Sequence, residues 1–309
     1  MPRSVRSSFK PVRNATQGVG GNNNLGIVVV RHRPSNTICI EKRVYPDAIH
    51  AGDVQREIRI MHQLRGHRNI VKILNYDLKY RSLGYGSIFL QRAELSSLDA
   101  IVKRYAQRPH ALFPDEGFLW KILSDLSLAL AYLATGTDAQ TALAQARAGQ
   151  NVTVVPGWQS VLHRDIKPSN VFMTWEGTHN RHPTMLLGDF GCAIDRNDLR
   201  MLPDTIPPND PDFAPPEYPD CNDRSDVYSM GLTVLCVASK SQLPLPGDSF
   251  ANGWASAGME MVLKKCLRGH PSGRPSLFEL PQFVRRGYNM WVTTNQGPGA
   301  PLPAWAYGE

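Results

Sequence analysis

The chain has 309 residues, 34 Lys+Arg against 27 Asp+Glu, 42% hydrophobic residues and 8% aromatics, which suits one large or two small globular domains and excludes a disordered tail. No apolar run comes near the roughly 18 to 20 residues that cross a bilayer, and the basic N-terminus lacks the apolar stretch of a secretory signal, so no membrane partner is expected. The net charge of +7 is spread out: Arg31-His32-Arg33 and Arg285-Arg286 are too short to track a nucleic-acid backbone, and no nucleic-acid partner is expected. Five scattered cysteines without a C-x-x-C pair fit a reducing intracellular compartment, cytoplasmic or nuclear.

Residues 1–17 are polar, basic and Ser-rich, and residues 289–309 are rich in Pro and Gly; both read as flexible tails. Leu25 to Val30 and Thr37 to Arg43 are β-branched runs around a turn with Pro34 and Asn36, which predicts a hairpin. Asp53 to Leu64 spaces Val54, Ile58, Met61 and Leu64 as on one helix face, with Asp53 as N-cap and Gly66 past the end. Val71 to Leu78 and Ser87 to Leu90 complete a small sheet. Beyond Leu98 the pattern is helix and loop. Phe118 to Leu133 carries the wide apolar stripe of a central core helix, and Asp226 to Ser239 is a second such helix. Gly258 to Leu267 and Phe278 to Arg285 predict two more. The Ala/Gln/Thr/Gly-rich stretch 135–159 predicts a surface insertion with a turn or two of helix at Thr141 to Ala148.

The chemistry is concentrated in His163-Arg164-Asp165-Ile166-Lys167-Pro168-Ser169-Asn170, with Asp189-Phe190-Gly191 nineteen residues after Asn170. A carboxylate, an ammonium and an amide within six residues, with a second carboxylate downstream, is the set that phosphoryl transfer from a magnesium nucleotide requires. Singly, each residue would read as a loop Asp or a capping Asn; the order and spacing of the set argue otherwise.

These segments resemble the H-R-D-x-K-P-x-N catalytic loop and the D-F-G motif of eukaryotic protein kinases. The resemblance extends over about 270 residues: Lys42 stands at the family's phosphate-contacting lysine, Glu57 at its partner glutamate, Ala214-Pro215-Pro216-Glu217 at A-P-E, Asp226 to Gly231 at the start of the central helix, and Arg274 at the late arginine that pairs with the A-P-E glutamate. It implies an α+β, bilobal protein-kinase-like fold: a kinase domain over 18–288, with an antiparallel-sheet N-lobe (18–90) carrying one helix, a hinge (91–94) and a mainly helical C-lobe (95–288). The cofactors implied are ATP and Mg2+. Lys42 would meet the α- and β-phosphates with Glu57 holding it, Asp165 would orient the acceptor hydroxyl, Lys167 would follow the moving phosphoryl, and Asn170 and Asp189 would hold the metal. Gly21, Gly26 and Val28 align with G-x-G-x-x-G-x-V if Asn23 replaces the middle glycine. Val28 and Phe172 would then enclose the adenine, with Ile40 where the family has alanine, Leu90 at the gatekeeper place, and Gln91 and Ala93 in the hinge.

Lys167 followed by Pro168 is similar to the Ser/Thr-directed branch, and Val161 to Asp165, Asn170 to Phe172 and Leu187 to Gly191 resemble the NIMA-related group. The coiled coil that often follows the kinase domain in that group is not present, so a monomer is expected. Asp210 stands where a threonine usually braces the catalytic residues; a carboxylate there would repel Asp165 and attract Lys167. Thr205 is the sole Ser, Thr or Tyr between Gly191 and Glu217, which marks it as the site where an upstream kinase would add an activating phosphate, paired with Arg164. The implied reaction is γ-phosphoryl transfer to Ser or Thr hydroxyls of protein substrates. Asn23, Ile40, Asp210 and the insertion leave a non-catalytic pseudokinase scaffold as the rival, and a small-molecule phosphotransferase would not explain the segments around Glu217 and Asp226.

Overall fold

A computed structural model describes residues 5–12, 24–108, 110–111, 115–176, 181–195, 198, 210–244, 255–295, 297 and 299–308. Gly21, Asn23 and Thr205 lie outside them. The chain divides into two compact units, residues 1–66 with 71–92 and residues 67–70 with 93–309.

The first unit is an antiparallel five-stranded sheet with two helices. In chain order it holds β1 (Phe9–Pro11), β2 (Gly26–His32), β3 (Thr37–Val44), α1 (Pro46–His50), α2 (Asp53–Gln63), β4 (Ile73–Asp77) and β5 (Gly86–Gln91), and the spatial order is β1-β2-β3-β5-β4. The hairpin expected from the β-branched runs is β2–β3, paired from Gly26↔Arg43 to His32↔Thr37. α2 starts from Gly52, whose φ of 86° is the left-handed geometry that glycine adopts freely, so Asp53 is the first helical residue rather than the cap. Its carboxylate instead accepts from Arg56 one turn on, at 2.9 Å.

Residues 5–11, expected as part of a flexible tail, are structural. A 3-10 turn at Val5–Ser8 leads into β1, which pairs antiparallel with β2. Phe9 stacks on Phe89 with ring centroids 3.7 Å apart, and the Arg6 guanidinium donates to Ser87 Oγ and to the carbonyls of Asp77, Lys79 and Tyr85. A three-residue strand is too short to show a period of two, and its side-chain anchors on Phe89 and around Asp77 to Ser87 lie some seventy to eighty residues away in sequence.

The second unit is mainly helical. It contains α3 (Leu98–Ala106), α4 (Glu116–Thr135), α5 (Ala139–Arg147), β6 (Val161–Leu162), β7 (Val171–Thr174), β8 (Thr184–Leu187), β9 (Ile194–Asp195), α6 (Ser225–Ser239), α7 (Ala257–Cys266), α8 (Leu280–Asn295) and α9 (Ala304–Tyr307). Two short antiparallel pairs, β6–β9 and β7–β8, carry the loops that bear the functional residues. By length and mean hydropathy α4 could cross a membrane, contrary to the expectation that no segment approaches that limit, but 89% of its apolar window is buried within the protein. It is the core helix. Asp125 on α4 accepts from Lys121 and from the Met185 backbone N–H, fixing β8 against it.

The expected surface insertion turns out to be partly core. α4 ends at Gly136 (φ 73°), where Trp158 packs so closely that a Cβ would collide with its ring. Asp138 then caps α5 by accepting from the Gln140 and Thr141 backbone N–H groups, and Ala139, Ala142 and Val152 bury themselves with Leu128 and Ala131 of α4. Small side chains let the two helices approach without an obvious apolar stripe. The C-terminal end is also ordered where a tail was expected: α8 runs on to Asn295, Trp305 packs 4.7 Å from the Tyr105 ring, and Arg104 donates to the Ala306 carbonyl at 3.0 Å.

Candidate active site

In the first unit, β3 and α2 bring Lys42 and Glu57 together, with Nζ and Oε1 2.7 Å apart and both side chains only 5% exposed. Removing two charges from water costs several kcal/mol per ion before their attraction repays it, so such a pair is weak evidence of stabilisation and stronger evidence of a task. Antiparallel partners project to the same side of a sheet, and the register therefore assigns the neighbours of Lys42. Lys42 faces Ile27 and Ile88, and Ile40 faces Val29 and Leu90. One side of the sheet thus presents Lys42 amid Ile27, Val29, Ile40, Ile88 and Leu90.

Val28 is not on that side. It pairs with Glu41 and is buried with Phe9, Val30, Cys39 and Phe89 on the opposite surface, so its expected place over the adenine is corrected: Ile27 and Val29 hold the Lys42 side of β2. The physical reason is the period of two, whereby a slip of one residue turns every side chain over. Gln91, paired with Cys39, also lies on the Val28 side. Gly26 opens β2 with φ 133°, and its N–H donates to Asn24 Oδ1 at 3.1 Å.

In the second unit, Asp226 at the start of α6 sets the catalytic-loop segment. Its carboxylate accepts from the backbone N–H groups of His163 (2.8 Å) and Arg164 (2.9 Å). Burial pushes this carboxyl above the usual range, opposed by those two donors and the nearby His163 and Arg164 charges. Arg164 is held at φ 67°, a left-handed conformation rare outside glycine, and Asp189 likewise at 59°. Strain of this kind is retained where the surroundings over-determine it, as at functional sites. His163 Nε2 donates to the Gly188 carbonyl at 3.1 Å and its ring meets Phe190 edge-on, centroids 4.8 Å apart. His163 and Phe190 thus have a packing role.

Asp165 is gripped from three directions. Asn170 Nδ2 donates to its Oδ2 at 2.8 Å, Lys167 Nζ lies 3.1 Å from Oδ1, and the Asp210 backbone N–H approaches Oδ1 at 3.3 Å. Lys167 also meets the Asp210 carboxylate at 3.1 Å, so the carboxylate in the place of the usual threonine is neutralised by the lysine between the two acids. Burial alone would lower the Lys167 pKa, but Asp165 and Asp210 outweigh it and hold the ammonium above its ordinary value.

With its amide N–H groups directed at Asp165, Asn170 has its amide oxygen as the remaining ligand atom. Gly188 N–H donates to the Asn170 carbonyl at 2.9 Å, which ties the residue before Asp189 to Asn170. An amide oxygen and a carboxylate are the hard donors that Mg2+ takes when phosphate and water complete its shell, so these residues fit the metal. No cluster of three or more His, Cys, Asp or Glu able to hold a metal by itself occurs among the described residues. Ala93 and Phe172 belong to this unit, both half-buried, Phe172 on β7 and Ala93 just before α3. Farther off, Arg274 and Glu217 form a two-point pair at 2.7 and 2.8 Å, with Arg274 fully buried and its other donors spent on the carbonyls of Arg224, Arg268 and Gly269.

Sequence reasoning found Lys42, Glu57, Asp165, Lys167, Asn170 and Asp189 from local strings. It missed Ile27, Val29 and Ile88 beside Lys42, for which strand pairing was the available signal.

The β1-β2-β3-β5-β4 sheet followed by the helical unit, with these residues on the expected strands and loops, is the protein-kinase fold, of the mixed α+β class. No protein-family model matches the chain. Its curated relatives are eukaryotic protein kinases. It is 26% identical over 202 residues to the mitosis inhibitor protein kinase wee1 of Schizosaccharomyces pombe, covering 63% of this chain and 18% of that protein. It is 25% identical over 256 residues to the membrane-associated tyrosine- and threonine-specific cdc2-inhibitory kinase wee-1.3 of Caenorhabditis elegans, covering 80% of this chain and 31% of that protein. To the serine/threonine-protein kinase Nek2 of Mus musculus it is 28% identical over 185 residues, 58% and 35% of the two chains. The match therefore spans about a third or less of the length of these relatives.

Proposed function

We propose that the chain is a protein serine/threonine kinase that transfers the γ-phosphoryl group of MgATP to hydroxyls of protein substrates. The observation that carries the reading is the clamp on Asp165, with Asn170 on one carboxylate oxygen and Lys167 on the other, which would hold that carboxylate in one orientation for an acceptor O–H. In this reading Asp165 receives the hydroxyl hydrogen bond and aligns the oxygen for in-line attack. Lys167, kept charged by its two acids, follows the phosphoryl charge, and Lys42, held by Glu57, meets the α- and β-phosphates. Asn170 and Asp189 would hold Mg2+, which when bound offsets charge on the β- and γ-phosphates. The Ser/Thr assignment rests on Lys167-Pro168.

The test is phosphate incorporation from labelled MgATP into the protein and a Ser/Thr-rich acceptor. Asp165→Asn and Lys42→Ala are each expected to reduce it by about a hundredfold or more. A folded protein with no turnover and no MgATP-dependent thermal shift would overturn the reading.

The Lys167–Asp210 ion pair favours a second reading, the pseudokinase, in which Lys167 is committed to Asp210. There MgATP would shift the melting temperature without turnover. Thr205 is the residue proposed to take an activating phosphate with Arg164 as its cation. Mass spectrometry should find that phosphate, and Thr205→Ala should lower activity severalfold; an unmodified Thr205 with unchanged activity in the variant would refute it.

A further inference from the structure

A cavity of about 300 Å3 opens in the helical unit between α4, α5 and α8, away from the catalytic-loop residues. Its walls are apolar where the helices meet, with Trp120 from α4, Leu143 from α5 and Val284 from α8. Helix α5 supplies one wall through Leu143, Ala146 and Arg147.

One lining side chain is at odds with that setting. His182, just before β8, is 8% exposed, and neither ring nitrogen has a hydrogen-bond partner among the described residues. A buried polar group left unsatisfied costs about 1 to 3 kcal/mol, and native proteins rarely tolerate it without a ligand, water or task. Burial lowers the imidazole pKa to about 4, so at neutral pH one nitrogen can donate and the other accept.

The charged side chains that line the cavity are basic: Lys121, Arg147, Arg181 and Arg285, with no Asp or Glu among the described lining residues, although Asp115 acts on His182 from nearby. Lys121 is engaged by Asp125, and Arg181 donates to the Gly299 carbonyl. Arg147, exposed on α5, and Arg285, which lies over the Tyr288 ring, have no carboxylate partner among the described residues.

We infer that this cavity is a binding site for a small organic acid with an apolar body. The body would rest between Trp120, Leu143 and Val284, His182 would donate to the ligand, and Arg147 and Arg285 would attract its carboxylate. The volume, at the low end for small-molecule pockets, suits a compact monoacid rather than a nucleotide or peptide.

Calorimetric titration of the full chain with 3-phenylpropionate and octanoate, each beside its neutral amide, tests the inference. Saturable binding of one acid per chain is expected, with amides at least about tenfold weaker, which is about 1.4 kcal/mol. Leu143→Trp should fill the cavity and weaken binding at least about tenfold. Arg147→Ala, at an exposed position, should weaken it about threefold or more while leaving the circular dichroism unchanged, which keeps the test decisive where the tryptophan variant does not fold. Acids and amides that bind alike, acids that do not saturate below about 10 mM, or binding indifferent to Arg147→Ala would overturn it.

Discussion

Lys42–Glu57 and Asp165–Lys167–Asp210 are both cation–carboxylate clusters, but they live in different solvents. The first is a dry pair between a strand and a helix, each side chain 5% exposed. In the second the lysine is 21% and Asp210 30% exposed, and three groups share the charge. In a dry pair the energetic question is what happens to the survivor when one partner is removed; in a wet cluster, solvent and the third member take up the loss. Under the proposed kinase reading, a cluster that follows a moving phosphoryl charge would gain from the wet arrangement, and a lysine that stands still would gain from the dry one.

The largest effect should come from breaking the dry pair. Glu57→Ala is expected to destabilise the protein by about 3 kcal/mol in urea unfolding, since it removes the 2.7 Å partner of a buried ammonium. Glu57→Gln, which keeps a hydrogen-bond acceptor, should cost less. Equal stability of Glu57→Ala and the parent would mean that the pair is solvated.

Dryness also has a pH signature. His67, stacked on Tyr132, and His182 are both buried with pKa values lowered to about 4, chiefly by desolvation. A histidine depressed in the folded state binds its proton first in the unfolded chain. Its contribution is complete above the unfolded value of 6.5 and is lost as pH falls through the window from 6.5 to about 4. Each would cost up to about 3 kcal/mol across that window, at about 1.4 kcal/mol per pH unit. Glu217 is different: burial opposes its ionisation, but Arg274 and Ser225 lower its pKa, so its loss begins only below the unfolded value of 4.5. Asp226, raised by burial, acts in the opposite direction as pH falls, so the histidine contribution is the difference in urea midpoints between the parent and the double variant His67→Phe with His182→Phe from pH 6.5 to 5. No difference there would show that water reaches both rings.

The register of β2 separates the two surfaces of the small sheet in the same way. Val28→Ala should cost about 1 to 3 kcal/mol, because it cuts into the cluster with Phe9 and Phe89, and should leave nucleotide affinity unchanged. Val29→Ala, half-buried on the Lys42 side, should cost under about 1 kcal/mol and weaken nucleotide binding severalfold. The opposite pattern would restore Val28 as an adenine contact.

That same register marks where the sequence ceased to be legible. His163 to Asn170 and Asp189 to Gly191 could be read because their geometry is local: hydrogen bonds from Asn170 and Lys167 return to Asp165 within five residues. The glycine-loop alignment could slide along a run of Gly and Asn with nothing to fix its phase, and only pairing with β3 shows which side chains stand beside Lys42. β1 escaped notice because three residues carry no periodicity. The helix at α5 was expected, but its burial against α4 escaped because alanine buries well while scoring low on apolar pattern, and α9 escaped because its support comes from Tyr105 and Arg104, some two hundred residues earlier. Helices α4 and α6, built from long apolar stripes, were plain from the start.

The smallest expected change in stability tests the wet cluster. Asp210→Asn keeps the backbone N–H that reaches Asp165 but removes the charge facing Lys167. With both partners partly exposed, the cost should stay below about 1 kcal/mol and shrink further at 1 M salt, where screening falls to about 3 Å. The kinetic effect should run the other way: Lys167, left with Asp165 alone, is freer to follow the transferred phosphoryl, and turnover should rise about threefold. A fall in turnover would show that Asp210 braces the loop as an acid, and a loss of 3 kcal/mol or more would mean that the cluster is as dry as Lys42–Glu57.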